Sequence, residues 1–192
     1  MTMSFIADPA DFPGNIDLIN WKDFPFTIIK TPLSGGAGSN VGTSKGGLGF
    51  RIDNPSRNKI VRQGQTWDGN FPANESLVYT WKRVGPVMLV FDTPIRGVGA
   101  CMQEKFGTGT TSGAPFTAIV RAFGSSHNPL PLPSPNPGEV AANSDDGSNF
   151  SAVFVGALSD QANIKFVEFD TKAIAAGDLD GDFAIGRVTL VM

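Results

Sequence analysis

The sequence predicts an all-β fold, an antiparallel two-sheet β-sandwich of jelly-roll type, and three observations carry that expectation. Fifteen Phe against one Tyr, with Val and Ile spread along the chain, favour strands, because ring and β-branched side chains fit a pleated, half-buried surface. Seven runs of strand length fill the second half, at 76–81, 87–92, 95–103, 116–124, 150–158, 164–170 and 183–191. No sustained helical period accompanies them. The crossover helices that a parallel sheet needs are therefore missing, and the strands must pair antiparallel.

Taken in order, residues 1–14 are punctuated by Asp8-Pro9 and Pro13-Gly14 and read as an extended arm, which leaves 15–192 as one sandwich domain. Strand-like runs follow at 16–21 and 26–31. Residues 34–47 are glycine-rich without periodic apolar positions and read as a loop. Residues 48–53 alternate apolar with other residues at period two, and Ile60-Val61 reads as a short return strand. Residues 67–74 hold Asp68-Gly69 and Pro72 and are turn-rich. Phe116-Thr-Ala-Ile-Val-Arg-Ala-Phe123 and Ile164-Lys-Phe-Val-Glu-Phe169 each show one apolar face, as a sandwich strand with its other face in water should. Between them, residues 127–146 include Pro129-Leu-Pro-Leu-Pro-Ser-Pro-Asn-Pro137. Alternating prolines cannot donate to a ladder, so this stretch reads as a surface excursion. A short helical turn is expected only at 171–176.

At 192 residues the chain fits one domain and can bury about 70% of the surface its unfolded form exposes. Charged residues make up 17% of the chain, below the usual quarter, while 23 Gly and 14 Pro suit many short elements joined by tight turns. The net charge is -3, and Lys and Arg occur singly, so no basic stripe exists for nucleic acid. Cys101 is the only cysteine, which excludes an internal disulfide and a Cys-based zinc cluster. No apolar run approaches the ~18 residues of a membrane span, and residues 1–21 lack the basic and apolar regions of a signal peptide. No internal repeat is visible, so neither a propeller nor a solenoid is expected.

The order Trp67-Asp-Gly-Asn70, Glu75-Ser-Leu-Val-Tyr-Thr80, Val87-Met-Leu-Val-Phe91, Pro94-Ile-Arg-Gly-Val-Gly99, Ser151-Ala-Val-Phe-Val-Gly156 and Asp182-Phe-Ala-Ile-Gly-Arg-Val-Thr-Leu190, together with the two alternating runs above, resembles a widespread bacterial family. Its members are jelly-roll domains similar to galactose-binding-like and carbohydrate-binding modules, common in exported proteins with a C-terminal PEP-type sorting signal. The similarity spans residues 67–191 and implies an extracellular or cell-surface setting. Two departures stand out. The family's closing motif resembles Phe-Ala-Ile-Asp or Phe-Ala-Ile-Asn, whereas Gly186 stands at that fourth place here, and no sorting tail follows the last run.

Four groups of residues suggest chemistry. Trp67, Tyr79 and Trp81 suit stacking on a sugar ring, since a flat aromatic face matches its C–H side, and Asp68 and Asn70 beside Trp67 are natural hydroxyl partners. Trp21 is a further candidate, and each aromatic has the alternative of plugging the sandwich. Asp178-Leu-Asp-Gly-Asp182 places Asp178, Asp180 and Asp182 at alternate positions, a spacing of oxygen ligands able to wrap Ca²⁺, although an EF-type loop would continue with Gly and end in Glu where Phe183 and Thr189 stand. Gly42-Thr-Ser-Lys-Gly46 fits the G-x-S-x-G pattern in letters. Its Ser44 sits in a glycine loop leading to a strand, not a strand-to-helix elbow, and the one histidine, His127, lies beside the proline-rich stretch. Glu104 and Glu168 are the acids in or beside central strands, a formal pair for glycoside chemistry.

The expectation is a non-catalytic binding module, with a polysaccharide or glycan as ligand and Ca²⁺ as structural support. The alternative is a self-assembling scaffold of an extracellular appendage, coat or matrix, joined through exposed strands or the N-terminal arm.

Overall fold

The computed structural model describes residues 2–23, 41–53, 58–65, 67, 69–80, 86–105, 115–132, 138–143, 152–173 and 182–192. Its strands are β1 (Met3–Ile6), β2 (Ile16–Ile19), β3 (Val41–Thr43), β4 (Gly49–Ile52), β5 (Asn58–Arg62), β6 (Ser76–Thr80) and β7 (Val87–Ile95). They continue with β8 (Gly97–Lys105), β9 (Pro115–Phe123), β10 (Pro129–Leu130), β11 (Glu139–Asn143), β12 (Val153–Ser159), β13 (Ile164–Ala173) and β14 (Asp182–Val191). One sheet runs β1-β12-β8-β14-β6-β5, with β2 also on β14, and the other runs β10-β9-β13-β7-β4-β3, with β11 also on β9. All pairings between these strands are antiparallel.

Within those sheets β6-β14-β8-β12 faces β7-β13-β9-β11, and the chain passes from one set to the other between β6 and β7, β7 and β8, β8 and β9, β11 and β12, and so on to β14. That alternation is the eight-strand jelly-roll frame. The expected fold class therefore holds, with the N-terminal strands widening both sheets.

Period-two burial explains why these residues meet. Val87, Leu89 and Phe91 of β7, Val98, Ala100 and Met102 of β8, and Phe116, Ala118 and Val120 of β9 all enter one core. Trp21 joins that core edge-on to Phe50, ring centroids 6.2 Å apart. Two register shifts adjust the pattern. In β13 the shift between Ile164 and Phe166 keeps Ile164, Val167 and Phe169 inside, and in β14 the shift between Ile185 and Val188 does the same for those two residues.

The second shift falls where β14 changes partner along one edge, from β6 at Ala184 and Ile185 to β2 from Val188 onward. Backbone groups in the gap lose the ladder, and side chains answer them. The Trp21 indole, just beyond β2, donates to the Gly186 carbonyl at 2.7 Å, and Glu75, just before β6, accepts from the Arg187 N–H at 2.7 Å. A Cβ on residue 186 would lie 3.0 Å from Glu75 Oε1 and 3.1 Å from the Phe71 ring, which is why glycine stands there.

Four sequence readings need correction. Within the arm, Met3–Ile6 forms β1 and lines the free side of β12, while Phe12 packs edge-on to Phe154. The glycine-rich stretch hides β3, whose partner β4 supplies the hydrophobic signal. The proline-rich excursion contributes β10 and β11, both laid on the outer side of β9, an edge position where a missing N–H is tolerated. Thr171 to Ala173 continue β13 instead of starting a helical turn, held by register with Ala118 to Phe116. The strand reading at 26–31 lies outside the described residues.

Candidate functional site

The sequence-derived sugar platform turns inward. Residues 62–67 close a tight turn in which the Gly64 N–H donates to the Trp67 carbonyl at 2.8 Å and the Trp67 N–H to the Arg62 carbonyl at 3.2 Å. This lays Trp67, only 3% exposed, on Tyr79 at a centroid distance of 5.1 Å, in a satellite cluster with Phe71, Leu77 and Ala184. The cluster covers the outer face of the β6–β14 region. The Tyr79 hydroxyl donates to Asp182 Oδ2 at 2.5 Å. Burial first, then that hydrogen bond and the carboxylate charge, hold the phenol well above its usual range.

Nearby, the Asn70 N–H donates to Gln103 Oε1 at 2.8 Å and the Gln63 amide donates to the Gly69 carbonyl. Trp67, Asn70, Tyr79 and Asp182 are thus brought together, but as a packed and tied assembly. A cleft of about 440 Å³ beside it is lined by Gln63, Asn70 and Phe71. Asp68, Trp81, Asp178 and Asp180 lie outside the described residues. Among the described residues no group of three or more His, Cys, Asp or Glu is placed to hold a metal ion. Trp21, fully inside the core, offers no face to a sugar either.

The hydrolase-like letters dissolve in the same way. Ser44 is buried in the β3–β4 turn, where its hydroxyl donates to Asp17 Oδ2 and accepts the Leu48 N–H at 2.9 Å. His127 caps the β9–β10 turn at φ 57° and stacks on Phe166, centroids 3.7 Å apart. Glu104 shares the inward parity of Met102 and is fully buried, while Glu168, on the other sheet, pairs with Arg121 at 3.6 Å. The two carboxylates therefore do not face one another across a cleft. Cys101 is partly buried, and burial, helped by the Glu75 charge, pushes its thiol up to about 11.

A larger cleft, about 700 Å³, opens at the end of the sandwich where β2 begins, β14 ends and two turns converge; Asp17, Lys45, Arg96 and Ile16 line it. Its volume lies in the range of ordinary ligand sites. Each wall is pinned by the backbone. The Arg96 N–H donates to the Val191 carbonyl at 2.8 Å and its own carbonyl accepts from the Ser159 N–H at 2.7 Å, so the single residue between β7 and β8 is fixed from both sides. The Lys45 N–H donates to the Leu18 carbonyl at 2.8 Å, tying the β3–β4 turn to β2. Asp17 completes the tie by accepting from the Gly46 N–H at 2.6 Å and from the Leu18 N–H at 2.7 Å, besides the Ser44 hydroxyl. Gly46 allows this, since a Cβ there would meet the Asp17 carboxyl carbon at 2.8 Å.

Asp17 thus has its charge answered inside the chain. Arg96 does not: its Nε is buried and meets no acceptor among the described residues. Beside it, Ile16 is 47% exposed and Met192 54% exposed, an apolar rim next to two cations.

No family model and no curated protein matches the sequence. A solved structure does resemble it: the crystal structure of a DUF4465 family protein from Bacteroides caccae, at a TM-score of 0.53 and 10% identity, over 93% of this chain and 99% of that one. At that identity the likeness shows the β-sandwich fold. No helix among the described residues is long and apolar enough to cross a membrane.

Sequence reasoning missed the end cleft because its residues come from separate turns. The available signals were Lys45 inside the glycine-rich stretch and Arg96 between two strand-like runs. Both are lone cations at tight turns.

Proposed function

We propose that this chain is a non-catalytic binding module whose ligand is a carbohydrate, seated in the end cleft and not on the buried Trp67. The observation that carries the reading is the cleft itself: about 700 Å³, with an apolar rim at Ile16 and polar groups at Asp17, Lys45 and Arg96 held by backbone bonds. Sugars present both characters, a C–H face and a ring of hydroxyls, and a pre-formed site avoids the cost of ordering its walls on binding. The resemblance to carbohydrate-binding jelly rolls supports the same class, and an extracytoplasmic setting with it.

The test is a titration of ¹⁵N-labelled protein with a panel of neutral and acidic oligosaccharides. Amide shifts centred on Ile16, Asp17, Lys45, Gly46 and Arg96 are expected. Shifts confined to Gln63, Asn70 and Phe71 would move the site to the smaller cleft, and silence across the panel would remove the reading. Self-assembly is the second reading, favoured by Val41, 55% exposed on the edge strand β3. Light scattering that shows a concentration-dependent mass, lost in Val41→Lys, would support it.

A further inference from the structure

We infer that the end cleft selects an acidic saccharide, a uronate, whose carboxylate is taken by Arg96 with Lys45 while a hydroxyl is taken by Asp17; this rests on the carbohydrate reading above. The argument is one of counter-ions. Asp17 uses three of its acceptor positions on the Leu18 N–H, the Gly46 N–H and the Ser44 hydroxyl, so its charge is already compensated by donors of its own chain. Ion pairs among the described residues engage Arg51 and Arg121, not Arg96 or Lys45. Among the described residues, then, the cleft carries two cations, Lys45 and Arg96, beside one carboxylate, Asp17, that forms an ion pair with neither, on a chain whose net charge is -3.

Geometry narrows the anion. A guanidinium presents its donors as a planar fork that matches a carboxylate bidentately, and the Arg96 backbone is held between Val191 and Ser159, which fixes the point from which that side chain reaches the cleft. The Arg96 Nε is buried and has no acceptor among the described residues, so the guanidinium charge is not answered through that atom. The fourth lone-pair site of the Asp17 carboxylate remains to accept a hydroxyl, and the side chains of Ile16 and Met192 offer apolar surface to a sugar's C–H face. One planar anion, neighbouring hydroxyls and an apolar face together describe a uronic acid residue.

Calorimetric titration with trigalacturonate, its methyl ester and neutral galactotriose tests this. The ester keeps the skeleton and removes the charge. The acid form should bind at least roughly 10-fold more tightly than the ester, and Arg96→Ala should weaken the acid form by roughly 10- to 100-fold while changing the neutral sugar less than about 2-fold. Arg96→Lys keeps the charge without the fork and should fall between. Both variants retain the two backbone bonds at residue 96, and thermal melts verify their fold. Arg121→Ala, which removes a cation from the outer face of the other sheet, should leave all three affinities unchanged.

Equal affinity for acid and ester with shifts still centred on the cleft would overturn the uronate inference and leave the carbohydrate reading standing. Absence of binding by all three sugars would overturn the uronate inference, and the carbohydrate reading would then be decided by the wider oligosaccharide panel. An equal loss in Arg121→Ala, or equal binding of a short poly-glutamate peptide, would reduce the effect to unspecific charge attraction and overturn the inference.

Discussion

Removing one nitrogen from the core should reveal what holds the last strand in place. In Trp21→Phe the ring remains apolar, but the Gly186 carbonyl loses the indole N–H that reaches it at 2.7 Å. No ladder donor replaces it, because the register of β14 shifts between Ile185 and Val188. A buried carbonyl left without a donor costs about 1–3 kcal/mol. The smaller ring at a position 1% exposed adds about 1–2 kcal/mol of lost burial and packing. The sum, about 2–5 kcal/mol, should lower the urea midpoint by roughly 1–2.5 M at a denaturant slope of about 2 kcal/mol/M.

Far-ultraviolet circular dichroism is the appropriate probe, since the substitution alters fluorescence directly. Glu75→Ala supplies the second arm. It removes the acceptor of the Arg187 N–H, a bond at an exposed position, and should cost about 0.5–1.5 kcal/mol alone. Because both side chains secure one bulge, the double variant should depart from additivity by at least about 0.5 kcal/mol. A Trp21→Phe cost below about 0.5 kcal/mol, or strict additivity, would refute the idea that the two residues jointly replace the missing ladder.

Three further outcomes follow from the same contacts. Both Cys101, pushed up to about 11 by burial and the Glu75 charge, and Tyr79, raised by burial and by Asp182, keep their protons longer in the folded chain than in the unfolded one. Their stability contribution is therefore complete below pH ~8.5 and declines as the pH climbs towards about 11, so the urea midpoint should fall over that window and fall less in Cys101→Ala; a flat profile would contradict the burial of both groups. Gly46→Ala places a methyl against the Asp17 carboxylate and should weaken saccharide binding at least roughly 10-fold by calorimetry, with a melting temperature lowered by only a few degrees. Ser44→Ala should cost about 1–2 kcal/mol in urea unfolding, since the hydroxyl joins Asp17 to the Leu48 N–H, and wild-type and variant should be alike towards ester substrates; a selective loss of turnover would make Ser44 a nucleophile after all.

Strands of the second half were legible because they are buried on one face and register there as period two: β9 reads almost residue for residue, and β13 does so over 164–170. β1, β10 and β11 were not, since edge strands take their stability from a neighbour's backbone and need no apolar pattern of their own. The site was less legible still. Trp67 looked like a platform because Asp68 and Asn70 flank it in sequence, yet sequence neighbours do not say which side of a turn a ring will take, and here Tyr79 and Leu77 provide the apolar surface that draws it in. The end cleft shows in the sequence only as two lone cations at turns, for Asp17, Lys45 and Arg96 become neighbours only through the pairing of β2 with β14 and of β4 with β7.

Gly186 links the bulge in the last strand to the place where a ligand can bind. An Asp or Asn at this place, which the sequence resemblance leads one to expect, would project a polar side chain from the last strand. Here that space is taken by the Phe71 ring and Glu75, brought in by the loop that also buries Trp67. A side chain at residue 186 cannot reach a ligand without displacing that cover, so any binding has to be done elsewhere on the sandwich. Gly186→Asp should therefore destabilise the fold by about 1–3 kcal/mol through crowding and by more from its charge beside Glu75, and should confer no saccharide binding at residues 63–75. A stable Gly186→Asp variant with new amide shifts in that loop would show that the cover yields, and would return the candidate site to the face where the aromatic residues first suggested it.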